Sequence, residues 1–202
     1  MKLFKNIKKW LENQEHLFYL FLLILIVPNI ILCFTEPMPV VAKVCNVLLP
    51  FAFYYLLMTL SRNCGKMFWI LFLFIFFGAF QIVLLYLFGQ SIIAVDMFLN
   101  LVTTNSSEAM ELLDNLVPAL VSVIILYIPA LILAAISIIK KRKLSSEFIR
   151  RERKKAWIAL LIGFISLGAA YGLDKRYELK SDLYPANVCY NVALAFQRNV
   201  QT

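Results

Sequence analysis

Five apolar blocks, each about as long as a bilayer core is thick, constrain this chain more than any other feature. They run over 17–34, 45–60, 67–88, 116–139 and 156–172. A membrane-crossing helix takes roughly 20 predominantly apolar residues, so the blocks absorb about half of the 202-residue chain. The chain is 62% hydrophobic and only 16% charged, whereas soluble domains sit near ~45–50% apolar. A soluble enzyme domain, a disordered tail and a secreted disulfide scaffold are thereby excluded. The pattern predicts an all-α integral membrane fold: five transmembrane helices within residues 1–173, then a short segment over 174–202. The first block is read as a retained span rather than a signal peptide. Its length exceeds an ordinary signal core, and Thr35-Glu36-Pro37-Met38-Pro39 is no small-residue cleavage site. Pro28 is a candidate kink within it.

A net charge of +8 invites a nucleic-acid partner, but the placement of the charges argues against one. Four of the 20 basic residues lie in 2–9 and nine in 140–155, both bordering apolar blocks. With the N-terminus inside, the cytoplasmic segments hold four, two (Arg62 and Lys66) and nine, fifteen in all. The other side holds Lys43, Lys175, Arg176, Lys180 and Arg198, which is five. That bias predicts a cytoplasmic N-terminus and an external C-terminus, periplasmic in a bacterial inner membrane, with the basic clusters facing anionic head groups. No Asp, Glu, Lys, Arg or His falls inside the five blocks, which weighs against a proton-coupled pump. Asn46 and Gln81 are the notable polar exceptions, explained by hydrogen bonding between helices. His16 is the single histidine, and Cys33, Cys45, Cys64 and Cys189 show no CxxC spacing. No metal site is therefore assigned to this chain.

Two external segments carry more information. The first, 89–115, has no Lys or Arg, and its charges are Asp96, Glu108, Glu111 and Asp114. Its apolar residues recur at roughly helical spacing, as in an amphipathic helix at the membrane face. Thr104-Asn105-Ser106-Ser107 looks like a break followed by a new helix start. On a continuous helix Asn100, Thr104 and Glu108 advance by only about 40° each and share one face. An amide, a hydroxyl and a carboxylate so placed could hold a lipid head group bearing an ammonium. They equally describe a solvated helix face with a cap, and spacing alone favours that plainer reading. In the second segment, Pro185 and the run 186–197 suit a further amphipathic helix, with Tyr184 and Tyr190 fitting an interfacial belt.

The stretch DMFLNLVTTNSSEAMELL resembles the periplasmic segment of bacterial lipid A phosphoethanolamine transferases, the family that includes the colistin (polymyxin) resistance enzymes. Asn100, Thr104 and Glu108 match that family's Asn, Thr and Glu at four-residue spacing, and the five-span layout, the basic loop before span five and a proline-containing segment after it match as well. Tyr184-Pro185 departs from the family's common Asn-Pro. The resemblance implies the membrane domain of a transferase that moves phosphoethanolamine from phosphatidylethanolamine to lipid A. It also implies a periplasmic sulfatase-like half, absent from these 202 residues, carrying zinc and a threonine nucleophile. Asn100, Thr104 and Glu108 are then substrate contacts. The chain itself holds no catalytic residue, is expected to be inactive alone, and has lipids rather than nucleic acid as partners.

Two alternatives stay open: a related membrane phosphotransferase acting on another glycan or a glycerolphosphate polymer, and a non-catalytic membrane scaffold. The charge bias makes a direct forecast. In intact cells, a cysteine at Asn105 (Asn105→Cys) reacts with a membrane-impermeant reagent from outside; labelling only after membrane disruption would overturn the orientation.

Overall fold

The computed structural model describes residues 2–35, 40–88 and 106–173. Within them the protein is entirely helical, seven helices and no strand. In hydrocarbon every backbone N–H and C=O must find a partner inside the protein, and a helix satisfies them within one segment.

Helix α1 (Lys2–Glu12) carries Lys5, Lys8 and Lys9 among Phe4, Ile7, Trp10 and Leu11, and is the amphipathic start. Asn13 separates it from α2 (Gln14–Thr35): its side chain accepts from the Glu15 N–H at 2.9 Å, and its carbonyl accepts from Leu17 N–H at 3.1 Å. The ring of His16 stacks on Trp10 at 4.9 Å. Then follow α3 (Val40–Met58), α4 (Cys64–Ile70), α5 (Phe72–Phe88), α6 (Ser106–Ile139) and α7 (Ser146–Leu173).

Among the described residues, three helical stretches are long and apolar enough to cross a membrane: Gln14–Thr35, Val40–Met58 and Val117–Ile139. They coincide with the first, second and fourth apolar blocks. Helix α3 begins five residues ahead of its block and takes Lys43 into its first turn, a place from which a long side chain can reach the interface. The third block divides at Leu71 into α4 and α5. Leu71 N–H still donates to Met67 O at 3.0 Å, and Leu71 O accepts from Ile75 N–H at 3.1 Å, so the ladder continues through the break. The fifth block forms the C-terminal part of α7, whose N-terminal part carries Arg150 to Lys155. That basic run is thus helical; the connection between α6 and α7 is only residues 140–145.

Helix α2 forms the centre, with Leu17, Phe18, Phe21, Leu22 and Leu25 buried. On one side α3 packs extensively with α7; on the other, α4 and α5 pack with α6. Phe21 stacks on Phe68 at 4.5 Å across the α2–α4 contact. Asn46 pairs across helices, its amide donating to Asn29 O at 3.2 Å while Asn29 Nδ2 donates to Asn46 Oδ1 at 3.4 Å. Small residues set the closest approaches, as is common between helices in membranes. A methyl group on Gly65 would stand 2.3 Å from the Ala134 carbonyl oxygen, and one on Gly163 would stand 3.2 Å from Leu49 Cα. The outward faces of α6 and α7 are apolar: Val121, Ile125 and Ile132 on one, Trp157, Leu161 and Ile165 on the other, are exposed. Such continuous faces suit lipid, not water, and with the three long apolar helices they define a membrane protein.

Gly65→Ala forces α4 off the α6 backbone and is expected to lower stability in detergent by about 1–3 kcal/mol, the range for overpacking. Gly168→Ala, where a methyl group meets nothing within 4 Å, should leave the melting temperature unchanged or higher. Comparable losses in thermal unfolding of the two variants would refute the close approach.

Candidate functional site

Of the residues singled out by spacing, Asn100 and Thr104 lie outside the described residues, as do Asn105, Tyr184 and Pro185. Glu108 lies on α6, which takes in Ser106-Ser107-Glu108 and runs unbroken to Ile139; its side chain is outside the description. The polar architecture that is described gathers at the other end of the bundle, where the basic residues are.

Helix α6 ends there on Lys141, whose φ of 50° is in the left-handed region. Arg142 N–H returns to Ser137 O at 3.0 Å and Lys141 N–H to Ile138 O at 2.9 Å, closing the terminus. A lysine in that conformation costs about 1–2 kcal/mol relative to the right-handed form. The surroundings hold it there. Asn63 caps α4, its Oδ1 accepting from Lys66 N–H at 2.8 Å, while its Nδ2 donates to Arg142 O at 2.9 Å and Ser137 O at 3.3 Å. Beside it Leu144 N–H donates to Arg62 O at 2.7 Å, and Arg62 Nε returns a bond to Leu144 O at 2.9 Å. Ser137 and Cys64 both donate to Gln14 Oε1, at 2.5 and 3.6 Å, which ties in the start of α2. Cys64 is fully buried, so its thiol packs inside the bundle.

The second feature is a carboxylate. Glu152, in the basic run of α7, is fully buried. It accepts from the Tyr55 hydroxyl, from Arg151 Nε at 2.9 Å and from Lys155 Nζ at 3.0 and 3.4 Å. Arg151 also lies over the Phe148 ring, 5.3 Å from its centroid, and Phe148 meets Phe18 and Tyr19 edge-on. One residue along, Arg153 donates to Thr59 O at 2.6 Å, satisfying a carbonyl just beyond the end of α3. Burial acts to raise the Glu152 carboxyl, but hydrogen bonds from Tyr55, Arg151, Tyr19 and Lys155 together outweigh it and hold the group down to about 2.

A carboxylate has room for about four hydrogen bonds, and these partners use them. Glu152 is therefore a clamp between α3 and α7, with no free lone pair for a substrate or a metal. Among the described residues no group of three or more His, Cys, Asp or Glu could hold a metal ion. Charge counting by loop overlooked Glu152 because it tallies only Lys and Arg. The face was readable: Phe148, Glu152 and Ala156 are four apart, all buried, and lie in one row with the helix contact. Comparison with protein-family models, curated proteins and solved structures finds no match.

The depressed Glu152 carboxyl gives a pH signature. A group whose folded value lies below its ordinary value stabilises fully above that ordinary value, and the contribution is lost as pH falls through the folded value. Glu152→Gln is expected to cost on the order of 3 kcal/mol at pH 7. The gap between wild type and variant should close between about pH 4.5 and 2. Denaturation in detergent across that window measures it; a constant gap would exclude the clamp.

Proposed function

We propose that the chain is the membrane domain of a phosphoethanolamine transferase that moves phosphoethanolamine from phosphatidylethanolamine to lipid A. In this reading it sits in a bacterial inner membrane with five spans, the third formed by α4 and α5 and the fifth by the apolar part of α7. The N-terminus and the Arg62, Asn63, Leu144 and Glu152 end face the cytoplasm. The segment with Asn100, Thr104 and Glu108 faces the periplasm, where the zinc-bearing half encoded by the complete gene would act. The observation that carries the reading is the Asn100, Thr104, Glu108 triplet at four-residue spacing. The helical membrane architecture and the charge bias support it.

The chemistry asked of the membrane domain is positioning. Two lipids must be held at one membrane face, and orientation alone can account for many kcal/mol of a transfer barrier. Glu108 would pair with the ethanolamine ammonium, while the Asn100 amide and the Thr104 hydroxyl donate to phosphate oxygens. A zinc ion held by the other half would supply Lewis-acid chemistry at the phosphorus.

Mass spectrometry of lipid A from cells with and without the complete gene tests the acceptor: a phosphoethanolamine mass gain on lipid A supports the reading, and its appearance on a core sugar or another glycan shifts the acceptor. Glu108→Gln in the complete protein removes a charge-assisted bond worth a few kcal/mol. Head-group transfer is expected to fall at least tenfold with membrane insertion intact. Glu111→Gln, outside the matched triplet, is the control. Small and equal effects would leave Glu108 as a helix-end carboxylate of about 0.3–1 kcal/mol.

A further inference from the structure

At the basic end of the bundle, α1 does not close flat against α6. A cavity of about 380 Å³ lies between them, walled by Leu11 of α1, Leu17 of α2, and Leu133 and Ile136 of α6. Its rim carries Glu12, Lys140 and Arg142. We propose that this groove holds an acyl chain of an anionic phospholipid, with the lipid's phosphate against Lys140.

Three observations lead there. The first is the wall: it is hydrocarbon, and ordered water needs two to four polar partners, which such a wall lacks. The second is the level. Ile139 ends the apolar stretch of α6 and Lys140 begins the basic run, so the groove opens where lipid chains meet head groups. Helix α1 has the matching character, with Ile7 and Trp10 exposed on its apolar side, as in helices that lie in the interfacial plane. The third is charge. Arg142 faces Glu12, 4.0 Å between Nη2 and the carboxylate and 3.3 Å from Nη1 to the Glu12 carbonyl. The two offset each other. Lys140 has no ion pair among the described residues, and Lys141 and Lys143 stand beside it in the chain. The rim is thus left with unbalanced positive charge, which selects an anionic head group over a zwitterionic one. The inference stands apart from the transferase reading, because Glu108 lies roughly 45–50 Å away along α6.

Native mass spectrometry of the purified chain, with equal amounts of phosphatidylglycerol and phosphatidylcholine, tests it. Phosphatidylglycerol is expected to be retained in preference. Lys140→Gln should lower that retention about fivefold, as one interfacial lysine warrants. Ile136→Trp fills the groove and should abolish retention with every basic residue in place, while Lys154→Gln, an exposed lysine on α7, changes nothing. Should Ile136→Trp fail to fold, thermal unfolding of the wild type decides: phosphatidylglycerol raises the melting temperature and glycerol phosphate alone does not. Equal retention of both lipids, retention unchanged by Lys140→Gln, or stabilisation by glycerol phosphate alone would overturn the proposal.

Discussion

Hydrocarbon offers no hydrogen-bond partner, and the organisation of this protein follows from that. Inside the apolar stretches the backbone satisfies itself as helix. Polar side chains that do occur there find each other, as Asn29 and Asn46 do. What cannot be satisfied within a helix, its terminal carbonyls and amides, is moved to the ends and paired between segments. Asn63 bonds the Ser137 carbonyl in the last turn of α6 and the Arg142 carbonyl just past it, and Arg153 bonds Thr59 beyond α3. The basic end is accordingly a continuous hydrogen-bonded layer joining α2, α4, α6 and α7, and the packing above it is apolar contact set by glycine and alanine.

Glu152 shows how a charged residue becomes compatible with burial. Taking a carboxylate out of water is costly, and removing a partner from a buried ion pair typically costs about 3–5 kcal/mol. Here the cost is met by two neighbours on its own helix, Arg151 and Lys155, and by a tyrosine from another helix. Arg151 and Lys155 keep their outer parts in solvent, with side chains 60% and 54% exposed, so only the carboxylate and the Tyr55 hydroxyl are dehydrated. The same run of charges therefore marks the membrane boundary on its outer face and fastens two helices on its inner one.

Much of the architecture was legible in the sequence, because long apolar runs and basic borders follow directly from bilayer thickness and charge. The helical class and the apolar character of Gln14–Thr35, Val40–Met58 and Val117–Ile139 were readable in that way. The break at Leu71 was not, since LFLFIFF has neither proline nor a capping residue. The helical state of Arg150 to Lys155 was missed for another reason: charge density suggests a loop, whereas Glu152 and Phe148 turn one face of that run into core. Asn46 was picked out, but its partner Asn29 was not, because nothing local joins residues 17 apart. Asn100, Thr104 and Glu108 rest on spacing and resemblance.

The Tyr55–Glu152 bond joins residues 97 apart in the chain, and that separation is also a delay. At about 5–20 residues per second, synthesis reaches Glu152 about 5–20 s after Tyr55. Through that interval Tyr55 has been made and its partner on α7 has not. The Asn29–Asn46 pair, only 17 residues apart, is available almost at once. The separations thus set an order of availability: both members of the Asn29–Asn46 pair exist before the carboxylate that Tyr55 bonds has been synthesised.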